Sequence, residues 1–323
     1  MMQSGGRRTE VGVGKPVFFD HDGGFDDFAA LLLLAGYDDV DLLGVCVTPA
    51  DTVLEAALPA TRKILDLSGR SDVTVAGGRL EGVHPFPFSW RVGAYAVNDL
   101  PVLNQRAQIE APLSELAGEE FLARTILDAP EPVTLLVTGP LTNLAWALEY
   151  EPGVEHKVDE LVVMGGALDV AGNVRDTGHD GSAEWNIYWD APAAKRVWDS
   201  GIPIRLFPLD ATNKVPLTAE FRRAFGRQHH WPRSAAAGSI WAMAGGWELA
   251  TAAGVPYFCW DTLTAASLVR PDLCTYADVR CDIVTAGPAE GRTLVTPSGR
   301  TVTAARHADT ERFYAHCLET LRH

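Results

Sequence analysis

The chain has 323 residues, 47% of them hydrophobic, and a formal net charge of −15 at pH 7. Its length and apolar content suit a single large α/β unit, and its acidity argues against binding to nucleic acid or to an anionic membrane. The cysteines at positions 46, 259, 274, 281 and 317 are odd in number and form no Cys-x-x-Cys pair. That pattern favours a reducing compartment, and so a cytoplasmic location, over a disulfide framework.

Strand-like and helix-like apolar segments alternate along the chain after residue 15. Strands are predicted at 17–19, 42–48, 73–76, 132–137, 161–164 and 204–207, and helices at 28–35, 53–67 and 141–150. This alternation predicts one α/β domain over residues 16–323, with a mostly parallel, Rossmann-like open sheet flanked by helices and a flexible tail at 1–15. Residues 77–105 are expected to form a long loop and 228–258 a mobile helical lid.

The last part of the chain has a different pattern. Short strands at 279–285, 293–296 and 301–305, separated by glycine turns, predict a small antiparallel addition to the sheet. Asp309 is expected to cap a final helix whose apolar side chains lie on one face: Phe313, Cys317, Leu318 and Leu321.

Four carboxylates lie within eight residues at the end of the first strand: Asp20, Asp22, Asp26 and Asp27. The glycines between them permit a tight turn from strand to helix. Carboxylates this close repel one another unless they share a proton, accept many hydrogen bonds or hold a cation. A hard divalent cation bound by oxygens is the simplest of these arrangements. The alternative is a solvated loop in which the helix dipole favours Asp26 and Asp27.

Polar residues after other predicted strands are expected to meet this acidic turn. Thr138, the pair Gly165–Gly166 and Asp210 each follow a strand, and ligands of open parallel sheets bind beyond the carboxyl ends of the strands. Glu184 and Asn186 are spaced by two, so an extended segment would point both the same way. A carboxylate beside an amide suits a polyol such as ribose.

Two further residues have ordinary alternatives. Asn173 could equally be a turn residue, and Asp261, which follows Trp260, could be a helix cap. Motifs for other chemistry are missing from the sequence, which contains no Gly-x-Ser-x-Gly elbow, no P-loop and no zinc-like spacing of histidines. Oxygen ligands predominate, which favours Ca²⁺ or Mg²⁺ over zinc.

Together these segments resemble the nucleoside hydrolases, the inosine-uridine preferring superfamily. The family's N-terminal signature is matched by Asp20-His21-Asp22-Gly23-Gly24-Phe25-Asp26-Asp27, and further motifs follow in order at Val137–Asn143, Met164–Gly166, Gly172–Val174, Ala183–Asn186 and Trp260–Asp261. Within the family the chain is most similar to the purine-specific, inosine-adenosine-guanosine type. The features that point there are His21, the segments Phe86–Arg91 and Asp180–Asp190, and Trp260.

The resemblance implies hydrolysis of the N-glycosidic bond of purine ribonucleosides to free base and ribose. One Ca²⁺ would be held by Asp22, Asp27, the carbonyl of Thr138 and Asp261. The ion would acidify a bound water, and Asp22 would accept its proton as general base. The implied substrate-binding residues are Asp26, Asn173, Glu184 and Asn186 for the ribose hydroxyls, together with Met164 and Tyr257; Asn186 is also implied to be catalytic. A homo-oligomer is implied, with a dimer favoured.

The resemblance also implies how the leaving base is recognised. Pyrimidine-cleaving relatives often place a proton-donating His where this chain has Trp260, whereas the purine type sandwiches the base between two indoles, here Trp90 and Trp260. Stacking binds the base and favours a protonated purine through cation–π interaction. Gly24 and Trp247 stand where Asn and His are common in the purine type, which affects the expected rate more than the reaction. Asp51 matches a family acidic position without an assigned role, and a surface Asp is equally compatible with the sequence.

Two other functions fit parts of the pattern. In a Mg²⁺-dependent phosphatase of the haloacid-dehalogenase type, Asp20 would be the nucleophile, Asp22 the acid, and Lys195 or Lys214 the accompanying lysine. That interpretation leaves Asp27, Glu184 and Asp261 without a role. A non-catalytic, Ca²⁺-dependent nucleoside-binding protein is the second alternative.

Overall fold

The computed structural model describes residues 14–246, the backbone of 247–250, and residues 256–322. The strands in these residues are β1 (Lys15–His21), β2 (Val40–Val47), β3 (Val75–Gly77), β4 (Val133–Val137), β5 (Val158–Met164), β6 (Ile204–Phe207), β7 (Cys274–Ile283), β8 (Thr293–Val295) and β9 (Arg300–Ala308). They form one nine-stranded sheet in the order β3-β2-β1-β4-β5-β6-β9-β7-β8.

The helices of the same residues connect and cover these strands. They are α1 (Phe25–Leu34), α2 (Leu54–Leu67), α3 (Phe88–Arg91), α4 (Gly93–Asn98), α5 (Gly118–Asp128), α6 (Thr142–Tyr150), α7 (Trp185–Trp189), α8 (Ala191–Trp198), α9 (Leu209–Thr212), α10 (Ala219–Ala224), α11 (Pro232–Ala250), α12 (Trp260–Val269) and α13 (Thr310–Thr320). None of the helices that the structure describes is long and apolar enough to cross a membrane.

The order of the strands creates a switch point between β1 and β4. The chain runs outward from β1 through β2 to β3, then returns and places β4 on the other side of β1. The connections that follow β1 and β4 therefore pass to opposite faces of the sheet. In open parallel sheets this is the point where a crevice forms and ligands bind.

Strand β1 is covered by helices on both faces. Val17 and Phe19 belong to one hydrophobic core, with α1, α2, α11, α12 and α13, whereas Phe18 belongs to a second core with α5, α6 and α8. Successive side chains of a strand point to opposite faces, so a strand covered on both sides has an uninterrupted apolar sequence. The run Val17–Phe19 was recognisable for this reason.

The predicted α/β fold class is confirmed, as is the antiparallel addition, which β9 joins to the parallel part of the sheet. The predicted loop at 77–105 is wrong, because this stretch contains α3 and α4, and the prediction also missed α5, α7, α8, α9 and α10. Asp309 caps α13, where its Oδ1 accepts a hydrogen bond from the backbone N–H of Arg312 at 3.1 Å. Residues 1–13 of the predicted tail and 251–255 of the predicted lid lie outside the described residues; Lys15 already belongs to β1. The five cysteines are buried and unpaired.

Candidate active site

A pocket of about 570 Å³ opens at the carboxyl ends of β1, β4 and β5. Its described lining combines buried carboxylates, amide or hydroxyl groups, and aromatic rings. The carboxylates are those of Asp22, Asp27, Asp51, Glu184 and Asp261; the polar groups include Thr138, Asn173, Asn186 and Asn213; the rings are Phe25, Phe86, Trp90, Trp185, Tyr257 and Trp260; Met164 also lines the wall. Every residue to which the resemblance gives a site role lines this pocket except Asp26. Gly165, Gly166 and Asp210, which were expected to meet the acidic turn from their strand ends, are not among the described lining residues.

The turn between β1 and α1 brings its carboxylates to the pocket floor. Gly23 has a positive φ of 77°, and a Cβ there would lie 2.8 Å from Cβ of Thr52. The backbone N–H of Gly24 donates to Oδ2 of Asp27 at 2.8 Å. A Cβ on Gly24 would stand 3.1 Å from Oδ2 of Asp51 and 3.2 Å from Oδ2 of Asp27. Glycine at both positions therefore lets Asp51 come close to the turn, so Asp51 is a pocket residue and the surface alternative is wrong.

Thr138 links the first motif to the residues that follow β5. Its backbone N–H donates to the carbonyl of Asp20 at 2.9 Å, and its hydroxyl donates to Oδ1 of Asp27 at 2.5 Å. Its own carbonyl accepts a hydrogen bond from Nδ2 of Asn186 at 2.9 Å. Hydrogen bonds of its N–H, its hydroxyl and its carbonyl oxygen thus fix where the Thr138 carbonyl lies.

Asp26 points away from the pocket although it adjoins Asp27. Its carboxylate is fully buried and accepts the backbone N–H of Asp261 at 2.6 Å and that of Thr262 at 3.3 Å, and the Thr262 hydroxyl also donates to it. These contacts satisfy free N–H groups at the start of α12. The structure therefore does not bring Asp26 to the ribose site that the resemblance implied; instead, Asp26 holds Asp261 in place.

Burial of several carboxylates together gives the pocket an unusual electrostatic character. Burial, followed by repulsion from Asp27 and Asp51, raises the pKa of Asp22 well above its ordinary value. Burial also raises the pKa of Asp27 to about 6 and that of Glu184 to about 7. The pKa of Asp261 is well above its ordinary value because of burial and then of Asp27 and Asp26. Such a group of carboxylates is stabilised by positive charge placed among them.

The donor chemistry fits a hard divalent cation. Oδ2 of Asp22 and Oδ1 of Asp51 are buried and have no hydrogen-bond partner, and oxygen donors of this kind are the ligands that Ca²⁺ prefers. Within the described residues, however, no group of three or more His, Cys, Asp or Glu side chains is arranged as a metal-binding site. The pocket floor therefore has oxygen donors of the right chemistry without the close arrangement of a formed metal site.

Glu184 and Asn186 line the pocket for a reason other than the predicted one. They do not lie on an extended segment, because Glu184 is the N-cap of α7 and Asn186 lies within that helix. The Glu184 carboxylate accepts the backbone N–H groups of Asn186 and Gly166, each at 3.0 Å. Nδ2 of Asn186 donates to the carbonyls of Thr138 and Met164 at 2.9 and 3.3 Å. The helix start, and not strand alternation, places the two side chains together.

Aromatic rings form two parts of the wall. We call Phe86, Trp90 and Trp185 the indole wall: the centroid of Trp185 lies 5.0 Å from Phe86 and 5.6 Å from Trp90. Elsewhere in the lining, Trp260 packs edge-on against Tyr257 at 4.8 Å, and its Nε1–H donates to Oδ1 of Asn213 at 2.9 Å.

Sequence reasoning did not assign a site role to several of these lining residues. Trp185 could have been found from its place between Glu184 and Asn186 in a family motif. Phe25 lies inside the first motif and could have been found in the same way, whereas Arg175 and Asn213 carried no such signal, because only the fold brings their segments to the pocket.

The phosphatase alternative finds no support in these positions. Asp20 is buried outside the described pocket lining, where its carboxylate accepts hydrogen bonds from Thr48 Oγ1 at 2.9 Å and Asn143 Nδ2 at 3.0 Å. Lys195, on α8, pairs with Asp199 just after that helix and with Asp282 on β7, and neither Lys195 nor Lys214 is among the described lining residues. A nucleophile hidden in this way cannot meet a phosphate in the pocket.

Comparison with known proteins places these features in context. Residues 17–315 match the family described as inosine-uridine preferring nucleoside hydrolase. The solved structure of an inosine-uridine preferring nucleoside hydrolase from Bacillus anthracis is 39% identical, with a TM-score of 0.90 over 95% of this chain and 99% of that one. A purine-preferring ribonucleoside hydrolase from Gardnerella vaginalis has a TM-score of 0.79 over 95% of this chain and 98% of that one. At 23% identity that likeness concerns the fold alone.

Curated relatives carry a different specificity in their names. The pyrimidine-specific ribonucleoside hydrolase RihA of Photobacterium profundum is 35% identical over 207 residues, and the same protein of Citrobacter koseri is 34% identical over 211 residues. The match spans about 64% of this chain and 64% of the Photobacterium protein, and 65% of each for the Citrobacter protein.

Proposed function

The chain belongs to the inosine-uridine preferring nucleoside hydrolase family, and on this premise we propose that it hydrolyses the N-glycosidic bond of purine ribonucleosides to free base and ribose. The observation that carries the proposal is a pocket with buried carboxylates at its floor and indoles on its walls. Carboxylates stabilise the positive charge that develops on a sugar as its glycosidic bond breaks. Indole faces bind a flat base.

The floor residues are proposed to hold a Ca²⁺ ion. Asp22, Asp27, Asp261 and the Thr138 carbonyl would be its ligands, as the chemistry of the donors allows. When bound, such a cation supplies positive charge and makes nearby water more acidic. Asp22, one of whose carboxylate oxygens is buried without a partner, is proposed to take the proton of the attacking water. A positioned general base typically contributes roughly 10²- to 10⁴-fold to the rate.

The ribose is proposed to be held by Asn173, Glu184 and Asn186. Because Nδ2 of Asn186 is engaged with backbone carbonyls, its Oδ1 is left to accept a hydroxyl proton. Oδ1 of Asn173 accepts the N–H of Trp185 at 3.0 Å, so its Nδ2 is left to donate. The Glu184 carboxylate is fixed by backbone N–H groups. Together they offer both donors and acceptors to a sugar with several hydroxyls.

The purine preference rests on how the leaving base is helped. Arg175 is the single cationic side chain among the described lining residues, which include no His, Lys or Cys. The indole N–H of Trp260 is occupied by Asn213, so Trp260 offers its ring face to a base and no proton. A purine protonated from solvent on its imidazole ring benefits from that face through cation–π attraction, whereas uracil cannot use this route.

The deciding experiment incubates the protein with inosine and with uridine separately, with Ca²⁺ present, and measures free ribose. Ribose from inosine at a far higher kcat/KM than from uridine supports the proposal. Comparable kcat/KM values would overturn the purine preference and leave the hydrolase activity standing. Tight nucleoside binding without ribose would instead indicate a binding protein, and phosphate release from a phosphomonoester would indicate the phosphatase.

We also propose that residues 16–323 act as one catalytic domain in the cytoplasm and that the protein forms a homodimer. Sedimentation equilibrium of the full chain measures the assembly directly. A monomer at micromolar concentration would overturn the dimer.

A further inference from the structure

A second cluster of titratable side chains lies outside the described pocket lining, behind the indole wall. We call His84, Asp176, His179, Tyr188 and Glu290 the Tyr188 cluster. The His84 ring lies parallel to the Tyr188 ring, with centroids 4.1 Å apart and an interplanar angle of 5°. His179 meets the same ring edge-on at 4.8 Å, and the Tyr188 hydroxyl donates to Oδ2 of Asp176 at 3.2 Å. Burial, with Asp176 and Glu290 adding to it, raises the pKa of Tyr188 to about 12, so the phenol is neutral at physiological pH.

The cluster is joined to the pocket through backbone and ring contacts. The N–H groups of Val83 and His84 both donate to the carbonyl of Trp189, at 2.7 and 3.0 Å, which fixes the segment that carries Phe86 and Trp90. Tyr188 packs edge-on against Trp185 at 5.5 Å. The position of the indole wall therefore depends on how firmly the segment at His84 is held against Tyr188.

The turn at 287–291 closes the cluster from the other side. Gly291 has a positive φ of 80°, and a Cβ there would lie 2.6 Å from Cα of Tyr188. The N–H of Asp180 donates to the carbonyl of Pro288 at 2.7 Å. This close packing places Oε1 of Glu290 3.2 Å from Nε2 of His84.

The two histidines differ in what surrounds them. Nδ1 of His179 accepts the N–H of Gly181 at 2.9 Å, so its Nε2, 2.8 Å from the carbonyl of Glu290, is the donor. His84 instead lies against the face of the Tyr188 ring and beside the Glu290 carboxylate. The ionisable groups facing His84 are Glu290 from the turn and Tyr188 from α7, with Asp176 and His179 behind that ring.

We propose that His84 is a positioning residue whose ring, stacked on Tyr188 and adjoining Glu290, fixes the indole wall for the base. The inference rests on the proposed function, because it concerns how that pocket binds a nucleoside. Nucleoside affinity should therefore depend on this stack, while the bond-breaking step, which takes place at the carboxylates, should change less.

The test compares wild type with His84→Gln and His84→Phe, using KM and kcat for inosine. KM should be about five- to tenfold higher in His84→Gln than in wild type, with kcat within about twofold. His84→Phe keeps a ring that can stack on Tyr188, so its KM should stay close to that of wild type. His156→Gln, at an exposed histidine away from the pocket, is the matched control and should behave as wild type. Equal KM values for wild type and His84→Gln would overturn the proposal.

A second readout does not depend on catalysis. Because the stacked ring of His84 holds its segment against Tyr188, His84→Gln should have a lower melting temperature than wild type, whereas His84→Phe should not. If wild type releases no ribose but this difference is seen, the proposed function fails and the His84 contact stands. Equal melting temperatures for wild type and His84→Gln would overturn the role of the contact.

Discussion

Replacing Trp260 by alanine tests the most specific part of the proposed function. The indole is half-buried, packs beside Met164 and Leu209, and has its N–H occupied by Asn213, so the ring surface that lines the pocket is what a base can use. Stacking on an aromatic side chain is worth about 1–3 kcal/mol per base, which corresponds to roughly 5- to 150-fold. We expect kcat/KM for inosine to fall by about 10- to 100-fold, with much of the loss in kcat, because the stack acts on the leaving base.

The assay measures ribose release from inosine and uridine by wild type, Trp260→Ala and Trp260→Phe at equal Ca²⁺. Trp260→Phe keeps a ring and should lose only a few-fold in kcat/KM. Trp146→Ala removes an indole that packs on Tyr150 at 5.1 Å, outside the pocket lining, and should leave both substrates unaffected. Trp90→Ala should raise KM more than it lowers kcat. Loss of the same factor for inosine and uridine in Trp260→Ala would refute the reasoning, since the indole would then have no special role for purines.

Three further predictions concern the carboxylates and the pH dependence of stability. Asp22→Asn should lower kcat by roughly two to four orders of magnitude with a smaller change in KM, and activity within a few-fold of wild type would place the base elsewhere. Chelation of divalent ions should abolish the activity of wild type, and added Ca²⁺ should restore it. Added Ca²⁺ should not restore activity in Asp27→Ala or Asp261→Ala. Full turnover by metal-free wild type would contradict this prediction. Burial lowers the pKa of His316, which contacts the Tyr37 hydroxyl at 2.8 Å. The stability that the neutral His316 ring contributes is therefore complete at neutral pH and is lost as pH falls below the unfolded pKa of about 6.5. Between about pH 7.5 and pH 5.5, the melting temperature should fall less in His316→Gln than in wild type. An equal fall in both proteins would contradict this prediction.

The strands and the acidic turn were predictable because their signals are local. A buried strand such as Val17–Phe19 has an apolar run whichever face each residue occupies, and glycines beside carboxylates mark the turn that follows. Helix α8 was missed because most of its buried positions are alanines, which give a weak apolar signal, and α5 was missed because one of its buried positions is polar. In α5, the buried Glu119 replaces an apolar residue; its Oε2 accepts the N–H of Arg79 at 3.2 Å.

The division of labour between Asp26 and Asp27 could not be predicted from sequence. Neighbouring residues on a helix point about 100° apart, so one faces the pocket and the other faces α12, and only the rotation of α1 against its neighbours decides which. Asp51 is a similar case. Its approach to the turn depends on how the segment after β2 passes Gly24, a long-range arrangement without a local pattern.

The contact of Asp26 with the start of α12 has a consequence for the order of folding. It joins residues 235 positions apart. Through it, Asp261 from the last third of the chain reaches the pocket floor beside the turn that follows β1. Contacts between such distant parts of a chain form slowly, because a long loop must close first. A ribosome-bound fragment that ends before residue 260 would contain β1 to β6 and both early aspartates and yet lack a complete floor. Competence for chemistry would then arise only after Asp261 has been synthesised and has reached Asp26, which release of ribose from stalled chains of increasing length would reveal.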